Sequence, residues 1–184
     1  MNVMTLIAAI LLEQAAPPIP DTQYEPSVAH PFGQPNPAAP AELAQFAFFA
    51  GAFDCTDRRL GPDGEWVEFP AIWNGHYFLN GHAIQDQYWA PGFYTTNIRQ
   101  FDEAEGVWKV GFFSEPGYSN GIWTGGLEGE DIVLTRPLTR PDGTEIISRL
   151  TFSDISDSGF SWSGAVVTDA GARENWTSLC VRRQ

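Results

Sequence analysis

From Phe53 onward, apolar and polar residues alternate in short runs, and each run stops at a cluster of turn-forming residues. The turn signals are Gly61-Pro62-Asp63-Gly64, Asn80-Gly81, the Asp102 to Gly106 loop, Gly125 to Asp131, Pro141-Asp142-Gly143, Asp157-Ser158-Gly159 and Asp169-Ala170-Gly171. Asn-Gly and Asp-Gly steps readily take the left-handed backbone angles of tight hairpins. Between them lie runs rich in β-branched and aromatic residues: Phe53–Leu60, Trp66–Trp73, Gly81–Trp89, Thr95–Phe101, Val107–Ser114, Gly121–Thr124, Ile132–Thr135, Glu145–Ile155, Phe160–Val167 and Asn175–Arg183. No segment between them is long enough for a crossover helix, so the strands are expected to be antiparallel. The pattern predicts an all-β domain, a single antiparallel meander of roughly eight to ten strands. Closing it into a barrel is the simplest way to remove its exposed edges; a sandwich is the competing arrangement.

Upstream the pattern changes three times. Pro40 to Gly51 reads as a short helical segment, with Leu43, Phe46 and Phe49 or Ala50 on one face and Gly51 to end it. An apolar helix placed just before the first strand is suited to plugging one mouth of a barrel. Residues 17–40 carry a proline every few positions. Proline removes backbone donors and fixes φ, so an extended or disordered linker is expected there. Residues 1–16 resemble an export signal: Val3 to Leu12 is apolar, far shorter than the ~20 residues of a membrane-spanning helix, and Ala15-Ala16 lies where cleavage would fall. The fold domain is therefore expected over residues 41–184, in a periplasmic or secreted protein.

Composition narrows the function. Aromatic residues make up 14% of the chain, with seven tryptophans and thirteen phenylalanines, which reads first as core filling and second as ligand contact. The formal net charge of −13 repels phosphate backbones and anionic lipid surfaces, so neither nucleic acid nor a membrane surface is an expected partner. The chain has no Gly-rich phosphate loop.

Several ordered segments together carry a resemblance. They are Phe46 to Cys55 with Arg58-Arg59-Leu60, then Leu79 to Asp86, then Arg99 to Asp102 leading to Gly106-Val107-Trp108. Phe152 to Ile155, Phe160-Ser161-Trp162 and Glu174-Asn175-Trp176 complete the series. In this order and spacing the chain resembles an uncharacterised bacterial family of lipocalin-like barrels. The resemblance implies a calycin-type barrel with a central cavity and no agreed activity or catalytic set.

The candidate chemistry follows from strand positions. Cys55 falls in the first strand and Cys180 in the last, which are neighbours in a closed barrel, so a disulfide across the seam is expected after export. Two cysteines and three scattered histidines lack metal-ligand spacing, so no metal site is expected. His82, Ile84, Asp86 and Tyr88 alternate along one strand and so share a face. If that face points inward, His82 and Asp86 form a candidate acid–base pair in an apolar cavity. Arg99 and Arg149 are candidates for holding an anionic group. Trp73, Trp108, Trp123, Trp162 and Trp176, with Tyr88, are candidate cavity walls. The leading expectation is an exported barrel holding a small, mainly apolar molecule, with no cofactor. A cofactor-free cyclase, isomerase or hydratase using His82 and Asp86 is the catalytic alternative. Haem binding would require an inward His76 or His82, and a partner-binding role in the envelope would require an apolar patch outside the barrel.

Overall fold

The computed structural model describes residues 21–117 and 119–184. The leader-like residues 1–16 and the first four residues of the proline-rich stretch lie outside the described residues. A 3-10 helix, Ala41–Phe49, precedes ten strands: β1 (Gly51–Leu60), β2 (Trp66–Phe78), β3 (Ala83–Ala90), β4 (Phe93–Asp102), β5 (Val107–Glu115), β6 (Ser119–Glu128), β7 (Asp131–Thr139), β8 (Glu145–Ser156), β9 (Gly159–Thr168) and β10 (Gly171–Arg182). Every strand pairs antiparallel with the next, and β10 pairs back onto β1 to close the barrel. Closure in this form needs an even count. The chain reverses at each hairpin, so a first and a tenth strand run in opposite directions and join by the same antiparallel ladder used elsewhere.

All ten runs read from the sequence are strands, but several extend well past the run read from the sequence. β2 continues from Trp73 to Phe78, β6 covers Ser119–Glu128, and β7 runs through Pro137 to Thr139. These extensions mix polar and small residues with single apolar ones such as Tyr77, Leu127 and Leu138, and the backbone ladder carries them past the continuous apolar runs. Along each strand alternate residues point inward, as Phe53, Cys55 and Asp57 do in β1 and Ile84, Asp86 and Tyr88 do in β3. Cys55 lies directly opposite Cys180 across the β1–β10 seam, and the two sulfurs are bonded.

One end of the barrel is plugged. Leu43, Phe46 and Phe49 are the buried residues of the 3-10 helix, and at three residues per turn they fall on a single side. Phe46 meets Trp108 edge-on at 4.7 Å, and Phe49 lies 5.0 Å from Phe160 and 5.1 Å from Trp73. Gly75 permits this docking, because a Cβ there would lie 2.3 Å from the Phe49 carbonyl oxygen. The helix's C-terminal carbonyls are satisfied from β10: Arg182 donates to the Phe48 oxygen at 2.7 Å and to the Ala50 oxygen at 2.9 Å.

The proline-rich stretch departs from the expected linker. From residue 21 it folds onto the plugged end and binds the β2–β3 connection. The Asn36 N–H donates to the Gly81 oxygen at 3.0 Å, and the Tyr77 N–H to the Phe32 oxygen at 2.8 Å. Asn80 receives the Tyr24 N–H at 3.3 Å and donates its side-chain amide to the Asp21 oxygen at 2.6 Å. Proline left this segment few donors, and the turn supplies partners for those that remain. Gly81 makes the contact possible, with φ at +77° and the Gln34 oxygen only 2.5 Å from where a Cβ would be.

Two stability predictions follow. Replacing Cys55 and Cys180 together by alanine should lower the unfolding free energy by about 2–4 kcal/mol, read as a lower urea midpoint; an unchanged midpoint would mean the seam does not need its cross-link. Second, burial lowers the pKa of the half-buried His76, against the opposing charges of Glu25 and Asp86. The unfolded chain therefore takes up a proton at His76 before the folded protein does. Stability should be intact above the unfolded value of about 6.5 and decline as pH falls below it. Melting temperatures from pH 8 to 5 should show this decline, and His76→Gln should flatten it.

Candidate functional site

Between the aromatic plug and the opposite end lies a cavity of about 210 Å3. Its wall is mostly aromatic and aliphatic, with Trp73, Trp123, Trp162, Trp176, Phe112 and Leu150 among its lining residues. Phe46 and Phe49 do not border it. Arg99 does, and its guanidinium carbon sits 4.3 Å from the centre of the Phe49 ring and 5.3 Å from that of Phe46. The floor of the cavity is thus a cation laid on the plug's π-faces.

Two buried carboxylates organise the polar atoms around this space. Asp86 is fully buried and pairs with Arg99, receives the indole N–H of Trp73, and accepts a 3.2 Å bond from the Asn97 amide. It does not itself border the cavity, so its role is to hold Arg99, Asn97 and Trp73, which do. Arg99 is only 2% exposed, and its Nε has no hydrogen-bond partner. The second carboxylate, Asp57, lies on the cavity wall and is 1% exposed. It accepts bonds from the Tyr88 hydroxyl at 2.7 Å, the Trp176 indole at 2.6 Å and the Ser178 hydroxyl at 2.6 Å. Burial, then the bond to Asp57, raises the Tyr88 pKa far above the ordinary phenol value, so the hydroxyl stays neutral and donating.

The residues expected from the sequence divide into two groups. Tyr88, Arg99, Trp123 and Trp162 line the cavity, as do Trp73 and Trp176. Trp108 does not. It is fully buried against Phe46, with its indole N–H donated to the Gln45 side chain at 2.8 Å, and so belongs to the plug. Arg149 is displaced by register: its neighbours Ser148 and Leu150 line the cavity, which turns Arg149 to the outside.

The acid–base pair of His82 and Asp86 is not assembled. β3 begins at Ala83, because Leu79, Asn80 and Gly81 take three successive left-handed conformations and keep His82 in the turn. His82 is half-buried at the plugged end and does not line the cavity. His76 falls between the inward residues Gly75 and Tyr77 and so faces outward. Among the described residues no group of three or more His, Cys, Asp or Glu could hold a metal ion.

Sequence reasoning passed over Asp57. The signal was available: if Phe53 and Cys55 point inward, the period of two takes Asp57 with them. Asn97 and Phe112 share the same logic, but nothing local marks them as inward until the register of β4 and β5 is known.

Comparison with known proteins bears on the fold alone. No family model matches the chain, and no curated protein matches it. Among solved structures it is similar to that of Rv2717c from M. tuberculosis, with a TM-score of 0.54 and 13% identity, covering 79% of this chain and 99% of that one. At that identity the likeness supports the barrel architecture and nothing finer.

Asp86 and His82 should differ sharply in what they contribute to stability. Asp86→Ala leaves Arg99 buried without its counter-charge and should cost about 3–5 kcal/mol of stability. His82→Ala, in a turn outside the network, should cost well under about 1 kcal/mol. Urea denaturation of both variants checks this, and similar losses for the two would contradict the assignment.

Proposed function

We propose that the protein is an exported, lipocalin-like carrier that holds one small, mainly apolar molecule inside its barrel. The observation that carries this reading is the cavity: about 210 Å3, walled mainly by aromatic and aliphatic side chains, with polar groups from Arg99, Asn97, Asp57 and Tyr88, and from Thr95, Ser148 and Asn175, set among them. Small-molecule sites have this make-up, an apolar lining with a small number of placed polar atoms. The volume lies below the roughly 300–1,000 Å3 of drug-sized sites, so the occupant is compact. Preformed walls favour binding, since the rings are already packed edge to face and little ordering remains to be done.

The carrier reading takes support from how the polar atoms are used. Both carboxylates are saturated with donors, and neither faces a histidine. Groups so fully engaged fix geometry more readily than they move protons. Export takes support from the leader-like residues 1–16 and from the Cys55–Cys180 cross-link, which suits an oxidising compartment.

Native mass spectrometry of the protein purified from its own cells tests both parts. The wild type should carry a bound mass that is lost on denaturation. Leu150→Trp, which fills the cavity from its wall, should fold and lack that mass. A filled variant that retains the same bound molecule would place binding elsewhere and end this reading. The same spectra should show a chain shortened by the leader, and a full-length chain would end the export part.

A further inference from the structure

Four of the rings bordering the cavity close a circuit. Centre to centre, Trp73 lies 5.3 Å from Tyr88, Tyr88 6.1 Å from Trp176, Trp176 5.9 Å from Trp162, and Trp162 6.0 Å from Trp73. Successive rings stand at 74°, 72°, 87° and 76° to one another. Rings set nearly upright to their neighbours around one space form the walls of a box. They come from β2, β3, β10 and β9, and β1, which runs between β2 and β10, adds Asp57 to the same wall.

The hydrogen-bond donors of these walls are already engaged. The Tyr88 hydroxyl and the Trp176 indole donate to Asp57, and the Trp73 indole donates to Asp86. Three of the four walls therefore offer a ligand their ring carbon and not their N–H or O–H. Donation to a carboxylate also enriches a ring in electron density, which deepens the negative potential over its face. The charges point the same way. Asp86 is matched by Arg99, so that pair adds no net charge to the cavity. Asp57 is 1% exposed and has three neutral donors but, among the described residues, no cation within ion-pair distance. Arg59, exposed and not bordering the cavity, has its guanidinium carbon 4.9 Å from the centre of the Trp176 ring, so one wall of the box already draws a cation.

We propose that the molecule held in the cavity is a small quaternary ammonium, its charged head in the box of Trp73, Tyr88, Trp162 and Trp176 beside Asp57. This rests on the carrier reading and names the class of molecule carried. A quaternary ammonium spreads its charge over alkyl groups, presents an apolar surface and needs no hydrogen bonds, which suits a chamber of rings. A primary ammonium has three donors to satisfy, and the Asp57 oxygens are taken. Phe112 of β5 and Leu150 of β8, on strands across the barrel from β1, receive the apolar body. A chain with 23 acidic and only 10 basic residues draws cations toward itself and repels anions.

The test is titration of the full chain, followed by tryptophan fluorescence, with three cations and the neutral isosteres in which carbon replaces nitrogen. The pairs are choline with 3,3-dimethylbutanol, acetylcholine with 3,3-dimethylbutyl acetate, and phenyltrimethylammonium with tert-butylbenzene. At least one cation should bind about tenfold or more tightly than its isostere. Trp162 donates to neither carboxylate, so Trp162→Leu removes one ring and leaves both hydrogen-bond clusters in place. It should cut the preference to about threefold or less while the isostere still binds within about threefold of wild type, which also shows that the variant is folded. A preference that survives Trp162→Leu unchanged would place the cation outside the box and overturn the assignment. Equal or tighter binding of every isostere would overturn it and leave the carrier reading standing. Binding by no member of any pair would overturn it too, and the carrier reading would then stand or fall on the bound mass of the purified protein.

Discussion

Ten strands enclose more space than their own inward side chains fill, and the rest of the structure answers that constraint. Barrel diameter grows with strand number, and about eight strands already give an interior that side chains only just occupy. Here the surplus is divided. At one end the 3-10 helix inserts Phe46 and Phe49 among Trp73, Trp108, Phe152 and Phe160, making a continuous packing of rings. At the other end no described segment enters in the same way, and the cavity is what remains. The plug's dimensions thus set the cavity's depth. Gly75 and Arg182 matter out of proportion to their place in the chain: one lets the helix approach, and the other satisfies the carbonyls at its end.

Burying charge in such an interior is costly unless every group is engaged. The barrel meets this in two ways. Asp86 and Arg99 neutralise each other deep in the wall, with Trp73 and Asn97 completing the carboxylate's shell. Asp57 instead takes three neutral donors, drawn from β3 and β10, so that its hydrogen bonds tie together strands on both sides of β1. Together with the Cys55–Cys180 bond, that cluster cross-links the β1–β10 seam both covalently and through buried hydrogen bonds. The interior polar groups therefore serve the closure of the barrel and, through Arg99, Asn97 and Tyr88, give the cavity its few oriented contacts.

Much of this was legible in the chain. Turn residues at hairpin spacing, β-branched and aromatic runs between them, and the absence of any crossover segment were enough for an antiparallel meander of roughly eight to ten strands. The first two are local properties, since a left-handed turn or an alternating face depends on a few adjacent residues. The spacing of Leu43, Phe46 and Phe49 likewise marked the plug, because a period near three puts them on one side of either helix type. The proline-rich stretch misled for the same reason that the rest succeeded. Proline shows that a segment does not pair as strand or helix, but not whether its few remaining N–H groups find acceptors in a distant turn.

What the sequence determined by itself was the kind and approximate number of elements, their antiparallel order, and the pairing of Cys55 with Cys180 that follows if the first strand meets the last. Only the tertiary structure decided which residues share the interior. His82 left its strand because of three left-handed residues before it, Arg149 turned outward by one position of register, and Trp108 went to the plug rather than the cavity wall. A period of two tells which residues lie on the same side, but which side faces inward is settled only when the sheet closes and the plug takes one end.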